Sequence, residues 1–303
     1  MTGKIFSPGK LLLTSEYTVL DGALALAVPT KWGQEFFFEE ILGNDSLIIW
    51  EAYHQNQPWL KARINYQTWE IEETNLPEAA LFIVKVLKNI QRLSDQKLQS
   101  VDICYKLRTN LQFPADYGLG SSSTLMNNLA EWAGIDAFLL NQESLGGSGY
   151  DIAVAKERSA VLYQTSGNER IVQRVRYAPS FKNQLVFVHL NQKQDSREGI
   201  KMYRSREKSN ALIEWFSALT KEVILCEDLD AFSEMMTLHE QKLSNHLLIK
   251  TIREKFFQDC PVFVKSLGAW GGDFIMTRKF QDYEAYFKEL GFSNIFGWDD
   301  IIN

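Results

Sequence analysis

The chain has 303 residues, 45% of them hydrophobic and 23% charged, with a net charge of −6. This is the balance of a folded chain long enough for two packed domains, and it excludes a disordered tail or low-complexity protein. The acidic balance also argues against a nucleic-acid partner, which needs a basic face or stripe. An anionic ligand must then be held by local devices. No apolar run approaches the length of a membrane span, and Met1 to Tyr17 lacks the basic start, apolar middle and cleavage site of a secretory signal. The expected setting is therefore cytoplasmic, with no membrane partner. Cys104, Cys226 and Cys260 are widely spaced and odd in number, so they read as buried thiols rather than a disulfide or zinc framework. His54, His189, His239 and His246 form no metal-binding pair and read as packing or surface residues.

In chain order, Lys4 to Leu13 reads as two short strands broken at Ser7-Pro8-Gly9, because proline and glycine interrupt an apolar run. Lys10 follows that break. An Asp21-Gly22 turn leads to Ala23 to Val28, a buried strand. From Lys31 to Trp69, aromatic and β-branched residues predict three or four antiparallel strands, with loops at Gly43-Asn44-Asp45 and from Gln55 to Pro58. Pro77 opens a helix that runs to Gln91, and Val101 to Leu107 alternates as a strand. Helical pieces follow Ser121 and Phe138, and Ile152 to Ala155 leads toward a strand near Ser159 to Gln164. The pattern changes near Gly167, which places a domain boundary between residues 168 and 169. Beyond it, strands are predicted at 171–176, 184–190, 261–267 and 274–277. Helices are predicted at 195–206, 211–226, 231–244, 247–257 and 281–290.

The most informative stretch is Pro114 to Thr124, Pro-Ala-Asp-Tyr-Gly-Leu-Gly-Ser-Ser-Ser-Thr. Two glycines allow a tight turn and close approach to a ligand, and the serines offer an N-cap to the helix that follows. A helix beginning here aims free N–H groups and the positive end of its dipole at whatever lies in front, which is a phosphate cradle. It is not a P-loop, since no lysine follows the glycines at the required spacing. Nor is it a dinucleotide fingerprint, since Ser123 stands where the third glycine belongs. The loop Gly146-Gly147-Ser148-Gly149-Tyr150-Asp151 is likewise no nucleophile elbow, because Tyr150 replaces the last glycine.

Three glycine-bearing segments stand in order: Pro8-Gly9-Lys10 with Glu16-Tyr17, then Pro114 to Ser123, then Lys265 to Asp273. Together they resemble the GHMP kinase superfamily, with mevalonate and phosphomevalonate kinases as its nearest members. The run Gly149 to Ala153 resembles a bacterial subgroup of these. The resemblance spans most of the chain. It implies a two-domain α+β fold, residues 1–168 carrying the nucleotide loop and 169–303 being ferredoxin-like, with the active site in a cleft between them.

The resemblance also implies roles. Gly118, Leu119, Gly120, Ser121, Ser122 and Ser123 would hold the phosphates of ATP. Ser121 or Ser122, with Glu143, would place Mg2+. Asp151 would be the catalytic base on the acceptor hydroxyl, and Lys10 the cation beside the reacting oxygens. On the acceptor side would stand Glu16, Lys193, Ser196 and Arg197, with Gly268, Ala269 and Trp270 lining it, and the turn Gly268 to Gly272 would also support the phosphate loop. These residue types suit phosphoryl transfer, which needs an in-line hydroxyl, charge neutralisation and a proton acceptor. The expected function is phosphorylation of a small hydroxyl-bearing metabolite, mevalonate or phosphomevalonate. The alternatives are a sugar or homoserine kinase, a diphosphomevalonate decarboxylase, and a kinase-like metabolite-binding protein weakened in catalysis. Trp270, where the family carries glycine, and the short separation of Gly120 from Asp151, 31 positions (151 − 120), motivate the last. The sequence leaves the assembly open between monomer and homodimer.

Overall fold

Aromatic and β-branched residues build the first sheet, and a small polar network fixes the helix laid against it. The computed structural model describes residues 1–43, 46–167, 169–192, 196–268 and 272–303, without the side chains of 196 and 197. The chain divides into two compact units. The first comprises Met1–Gly9, Trp32–Ala115 and Gly120–Arg158, and the second Lys10–Lys31, Asp116–Leu119 and Ser159–Asn303.

In the first unit, β1 (Thr2–Leu12), β2 (Ala25–Leu42), β3 (Leu47–His54), β4 (Gln57–Asn65), β5 (Ile71–Thr74) and β6 (Ile103–Leu111) supply the strands. Their order is β5-β4-β3-β6-β2, with β1 on β2. β3 and β6 run parallel and the other pairings on that path are antiparallel. The parallel pair needs a long crossover, and α1 (Pro77–Leu93) lies in it. Gln55 and Asn56 both take positive φ, as a two-residue hairpin turn requires. Pro58, expected in that loop, already belongs to β4. Asn44 and Asp45 of the other expected turn lie outside the described residues.

The expected break at Ser7-Pro8-Gly9 does not occur, since β1 is continuous. The reason is its edge. Lys10, two residues on, sends its N–H to Leu119 O at 2.9 Å. Alternate amides point the same way, so the donor that Pro8 lacks is one the β1–β2 ladder does not use.

α2 (Ser121–Ala133), α3 (Ala137–Ser144) and α4 (Tyr150–Glu157) complete the unit. The run Ile152 to Ala155 is thus helical, started by Gly149 at φ +89°. The core is aromatic: Trp132 of α2 meets Phe36 and Tyr105 edge-on at 5.9 and 5.6 Å. α2 is also pinned by polar side chains on its buried face. Asn127 Nδ2 donates to Ser7 Oγ at 2.8 Å, and Ser7 Oγ donates to Asn128 Oδ1 at 2.7 Å. Asn128 Nδ2 donates to Gln34 O at 2.9 Å.

In the second unit, the hairpin β7 (Ala160–Ser166) and β8 (Glu169–Val175) pairs antiparallel, and Ala25–Ala27 of β2 pair with β7. The boundary expected at 168/169 would cut this hairpin, and residue 168 lies outside the described residues. Then follow β9 (Leu185–His189), α5 (Ser196–Arg204), α6 (Asn210–Leu225), α7 (Leu229–Leu247) and α8 (Ile252–Phe256). β10 (Val264–Leu267), β11 (Phe274–Arg278), α9 (Tyr283–Glu289), β12 (Ile295–Gly297) and α10 (Trp298–Ile301) end the chain. The strands form one sheet in the order β10-β11-β9-β12, antiparallel throughout. A β-α-β-β-α-β succession in that order is the ferredoxin-like arrangement expected. β12 and α10 were not predicted, being too short to show a period. The helix predicted at 247–257 is shorter, because Leu248 closes α7 in a left-handed cap and Thr251 with Glu254 opens α8 in a capping box. Of the cysteines only Cys260 is buried, and Cys104 and Cys226 are half-buried.

Asn128 is fully buried, so Asn128→Ala removes the acceptor of the Ser7 O–H and the side-chain donor to the Gln34 carbonyl. We expect a loss of about 2 kcal/mol, read as a lower urea midpoint with an unchanged m-value.

Candidate active site

The turn into α2 rests on two glycines in the left-handed region, Gly118 at φ +68° and Gly120 at φ +87°, where a side chain is strained. Gly120 itself is the N-cap of α2, and no side chain caps the helix. The serine cap expected from the sequence does not form. Ser123 Oγ donates instead to Gly120 O at 2.8 Å, and Thr124 Oγ1 lies 2.9 Å from both Ser121 O and Gln34 Oε1. The first-turn amides have no acceptor within the helix and, among the described residues, receive none from a side chain. Ser121 is half-buried and Ser122 exposed. Free N–H groups at a helix start suit an anion.

Lys10, at the end of β1 and 8% exposed, belongs to the second unit with Asp116–Leu119. Its Nζ donates to Gly118 O at 2.9 Å and its N–H to Leu119 O at 2.9 Å. Lys10 and the Gly118–Leu119 limb, singled out separately in the sequence, are thus brought together. Asp151 lies in the first unit, as the second residue of α4, and its Oδ1 accepts the Ile152 N–H at 3.0 Å. An acidic side chain in a first helical turn complements the positive end of the helix. Glu143 lies in α3 and pairs with Arg92 at 3.0 Å, both partly exposed. Gly268 takes φ +73°. Ser196 and Arg197 begin α5 in backbone only, and Lys193, Ala269 and Trp270 lie outside the described residues.

Glu16 has a different environment from the one a substrate contact needs. It is 1% exposed, and Lys265 Nζ donates to its Oε1 at 2.5 Å. Burial pushes its carboxyl upward, but Lys265 and His239 outweigh it and bring the value down to about 2. His239, buried among these groups, falls to about 4 because burial and Lys265 oppose its charge. Its Nε2 accepts the Ser15 N–H at 2.8 Å, as a neutral ring does, so the 3.1 Å approach to Glu16 Oε2 is a contact and Lys265 is the true counter-ion. Glu240 accepts N–H bonds from Ser266 and Ile252, and burial raises it to about 8. Ser15 and Tyr17 on either side of Glu16 carry positive φ, so this cluster holds a strained segment in shape. Sequence reading missed Lys265, His239 and Glu240. The available signal was a lysine inside the apolar strand Val264–Leu267, since a buried charge demands a partner.

A glycine-led, uncapped helix in one unit and a ferredoxin-like sheet in the other define an α+β protein with the fold of the GHMP kinases. No protein-family model matches the sequence, and no curated protein matches it. Among solved structures, it is similar to a mevalonate kinase of L. major in complex with R-mevalonate, at 15% identity and TM-score 0.65 over 96% of this chain and 91% of that one. It is similar to Streptococcus pneumoniae phosphomevalonate kinase with phosphomevalonate and AMPPNP, at 15% identity and TM-score 0.66 over 98% and 99%. It is also similar to Lactococcus lactis galactokinase with galactose, at 13% identity and TM-score 0.64 over 95% and 88%. Among the described residues no helix is long and apolar enough to cross a membrane.

The buried cluster has a pH signature. His239 and Glu16, lowered on folding, contribute stability at higher pH that is lost as pH falls below 6.5 and 4.5 respectively. Glu240, raised on folding from 4.5 to about 8, contributes stability at low pH that is lost as pH rises across that interval. From pH 6.5 to 8 only Glu240 of the three still titrates. We expect stability to fall there by up to about 1.4 kcal/mol per pH unit, and Glu240→Gln to flatten that slope in denaturant titrations.

Proposed function

We propose that this chain is an ATP- and Mg2+-dependent kinase that phosphorylates a small hydroxyl-bearing metabolite, with mevalonate or phosphomevalonate as the acceptor. The observation that carries the reading is the start of α2, where left-handed Gly120 leaves the first-turn amides uncapped and two serine hydroxyls beside them. Gly118 to Ser123 are assigned to the ATP phosphates. The likeness in fold to a mevalonate kinase and a phosphomevalonate kinase, one of them bound to AMPPNP, supports both nucleotide and acceptor.

Asp151 is assigned as the base that takes the acceptor's hydroxyl proton, and Lys10 as the cation that offsets charge on the transferring phosphoryl group. Lys193, Ser196 and Arg197 are assigned to an acidic group of the acceptor, a guanidinium being suited to carboxylate or phosphate. Gly268, Ala269 and Trp270 would line the acceptor, while Glu16, buried against Lys265, is not assigned to it. For Mg2+, the donor set fits in part. Ser121 and Ser122 offer hard oxygens, and among the described residues no group of three or more His, Cys, Asp or Glu forms a cage. An ion of this kind is usually completed by substrate phosphates and water. Glu143 would join only by giving up Arg92. When bound, the ion neutralises charge on the phosphates.

The test is ATP consumption with mevalonate, phosphomevalonate, homoserine and galactose, for the native chain and Asp151→Asn. We expect turnover with one of the first two, and a fall of at least about 100-fold in kcat for the variant. Turnover with none, while ATP still binds, would replace the kinase with a nucleotide-dependent sensor. Turnover with galactose or homoserine alone would move the acceptor and leave the kinase in place.

A further inference from the structure

Gly118 is confined from a second side, by a residue to which the assigned chemistry gives no part. A Cβ built on Gly118 would lie 2.2 Å from Asp273 Cγ, 2.2 Å from its Oδ2 and 2.6 Å from its Oδ1. The Asp273 carboxyl therefore fills the space that any side chain at position 118 would need. The same Oδ2 would stand 3.4 Å from a Cβ on Gly268. The carboxyl is thus seated against two glycines, Gly118 and Gly268, both with positive φ.

Asp273 is itself held firmly. Its N–H donates to Gln192 O at 3.1 Å, and its C=O accepts the Leu190 N–H at 2.9 Å. It is 6% exposed and carries φ +47°, a conformation that costs a non-glycine residue free energy and persists only where the surroundings impose it. The next residue, Phe274, opens β11, and β11 pairs with β9 from Phe274↔His189 onward. The side chain is therefore mounted on the rigid end of the second sheet. On the loop itself, the Gly118 carbonyl is held by Lys10 Nζ at 2.9 Å. Gly118 is gripped by a hydrogen bond at its carbonyl and by a carboxyl packed against its Cα.

We propose that Asp273 is a positioning residue for the nucleotide loop: its carboxyl braces Gly118 in the left-handed turn and so presets the loop for phosphate. The inference rests on the kinase reading, because it takes Gly118 to Ser123 as the phosphate site. The action is by contact, so it depends on the shape of the carboxyl and on the absence of a side chain at 118. It also explains in physical terms why glycine stands at that position, since even alanine would overlap the brace.

The experiment is a double-mutant cycle read by MgATP affinity in calorimetric titration of the full chain, with thermal unfolding of each variant alongside. Asp273→Asn keeps the shape and should bind MgATP within about threefold of wild type. Asp273→Ala removes the brace and should weaken binding about tenfold, with a thermal midpoint near that of the wild type. Gly118→Ala should weaken it by about 100-fold. In Gly118→Ala/Asp273→Ala the overlap is relieved, so binding should recover at least about tenfold over Gly118→Ala alone, a coupling of the size found for residues in contact. Gly118→Ala/Asp273→Asn should show no recovery. A merely structural role would lower thermal midpoints without such recovery in affinity. Wild type that binds MgATP, with Asp273→Ala and Gly118→Ala effects that simply multiply, would overturn this inference and leave the kinase reading standing. Wild type that fails to bind MgATP would overturn both.

Discussion

The start of α2, with a glycine N-cap and no side-chain cap, is the weak point that the first unit is built to hold. A helix usually gains stability from an N-cap side chain, and α2 forgoes one. It is held along its flank instead, by Thr124, Asn127 and Asn128 bonded to Ser7 and Gln34, and by Trp132 in the aromatic core. These are buried polar groups, costly if left unpaired, so they specify one position of the helix against β1 and β2. A local weakness at the N-terminus is offset by a network one to three turns further on.

The second unit answers a comparable demand with charge. The segment Thr14 to Thr18 follows Lys10 and contains two non-glycine residues at positive φ. Its Glu16 is grouped with Lys265, His239 and Glu240, all nearly inaccessible. Only the Glu16–Lys265 pair is ionic at ordinary pH, because burial keeps His239 neutral and Glu240 protonated. Such a cluster is weak evidence for net stability, but removing one partner is costly, and so it enforces one geometry. The same unit carries Gly118 between Lys10 and Asp273.

Much of this was legible in residue order. The helix at Pro77, the helix after the serines and the strands from Trp32 to Asn65 follow from periodicity and from proline and glycine placement, whereas the ferredoxin-like arrangement was implied by the resemblance. The glycine-serine stretch pointed to a tight turn into a helix, which Gly118, Gly120 and α2 form. What could not be read was dictated by neighbours distant in sequence. Pro8 sits inside a strand because its amide edge is not the paired one. Ile152 to Ala155 is helical because Gly149 starts a helix there, whereas four small apolar residues suit strand or helix equally. The N-cap is Gly120, and the Ser123 and Thr124 hydroxyls bond carbonyls at the start of the helix instead.

Through its resemblance to the GHMP kinases the sequence implied the class of fold, and by itself it determined where most helices, strands and glycine turns fall. Those features are local, written in periods of two and 3.6 residues and in glycines that permit particular turns. Only the tertiary structure decided that Glu16 is a buried counter-ion to Lys265, that Asn127 and Asn128 fasten α2, and that Asp273 meets Gly118. Each of these joins residues more than 90 positions apart, and no local pattern records which distant side chain will fill a given space or satisfy a given buried charge.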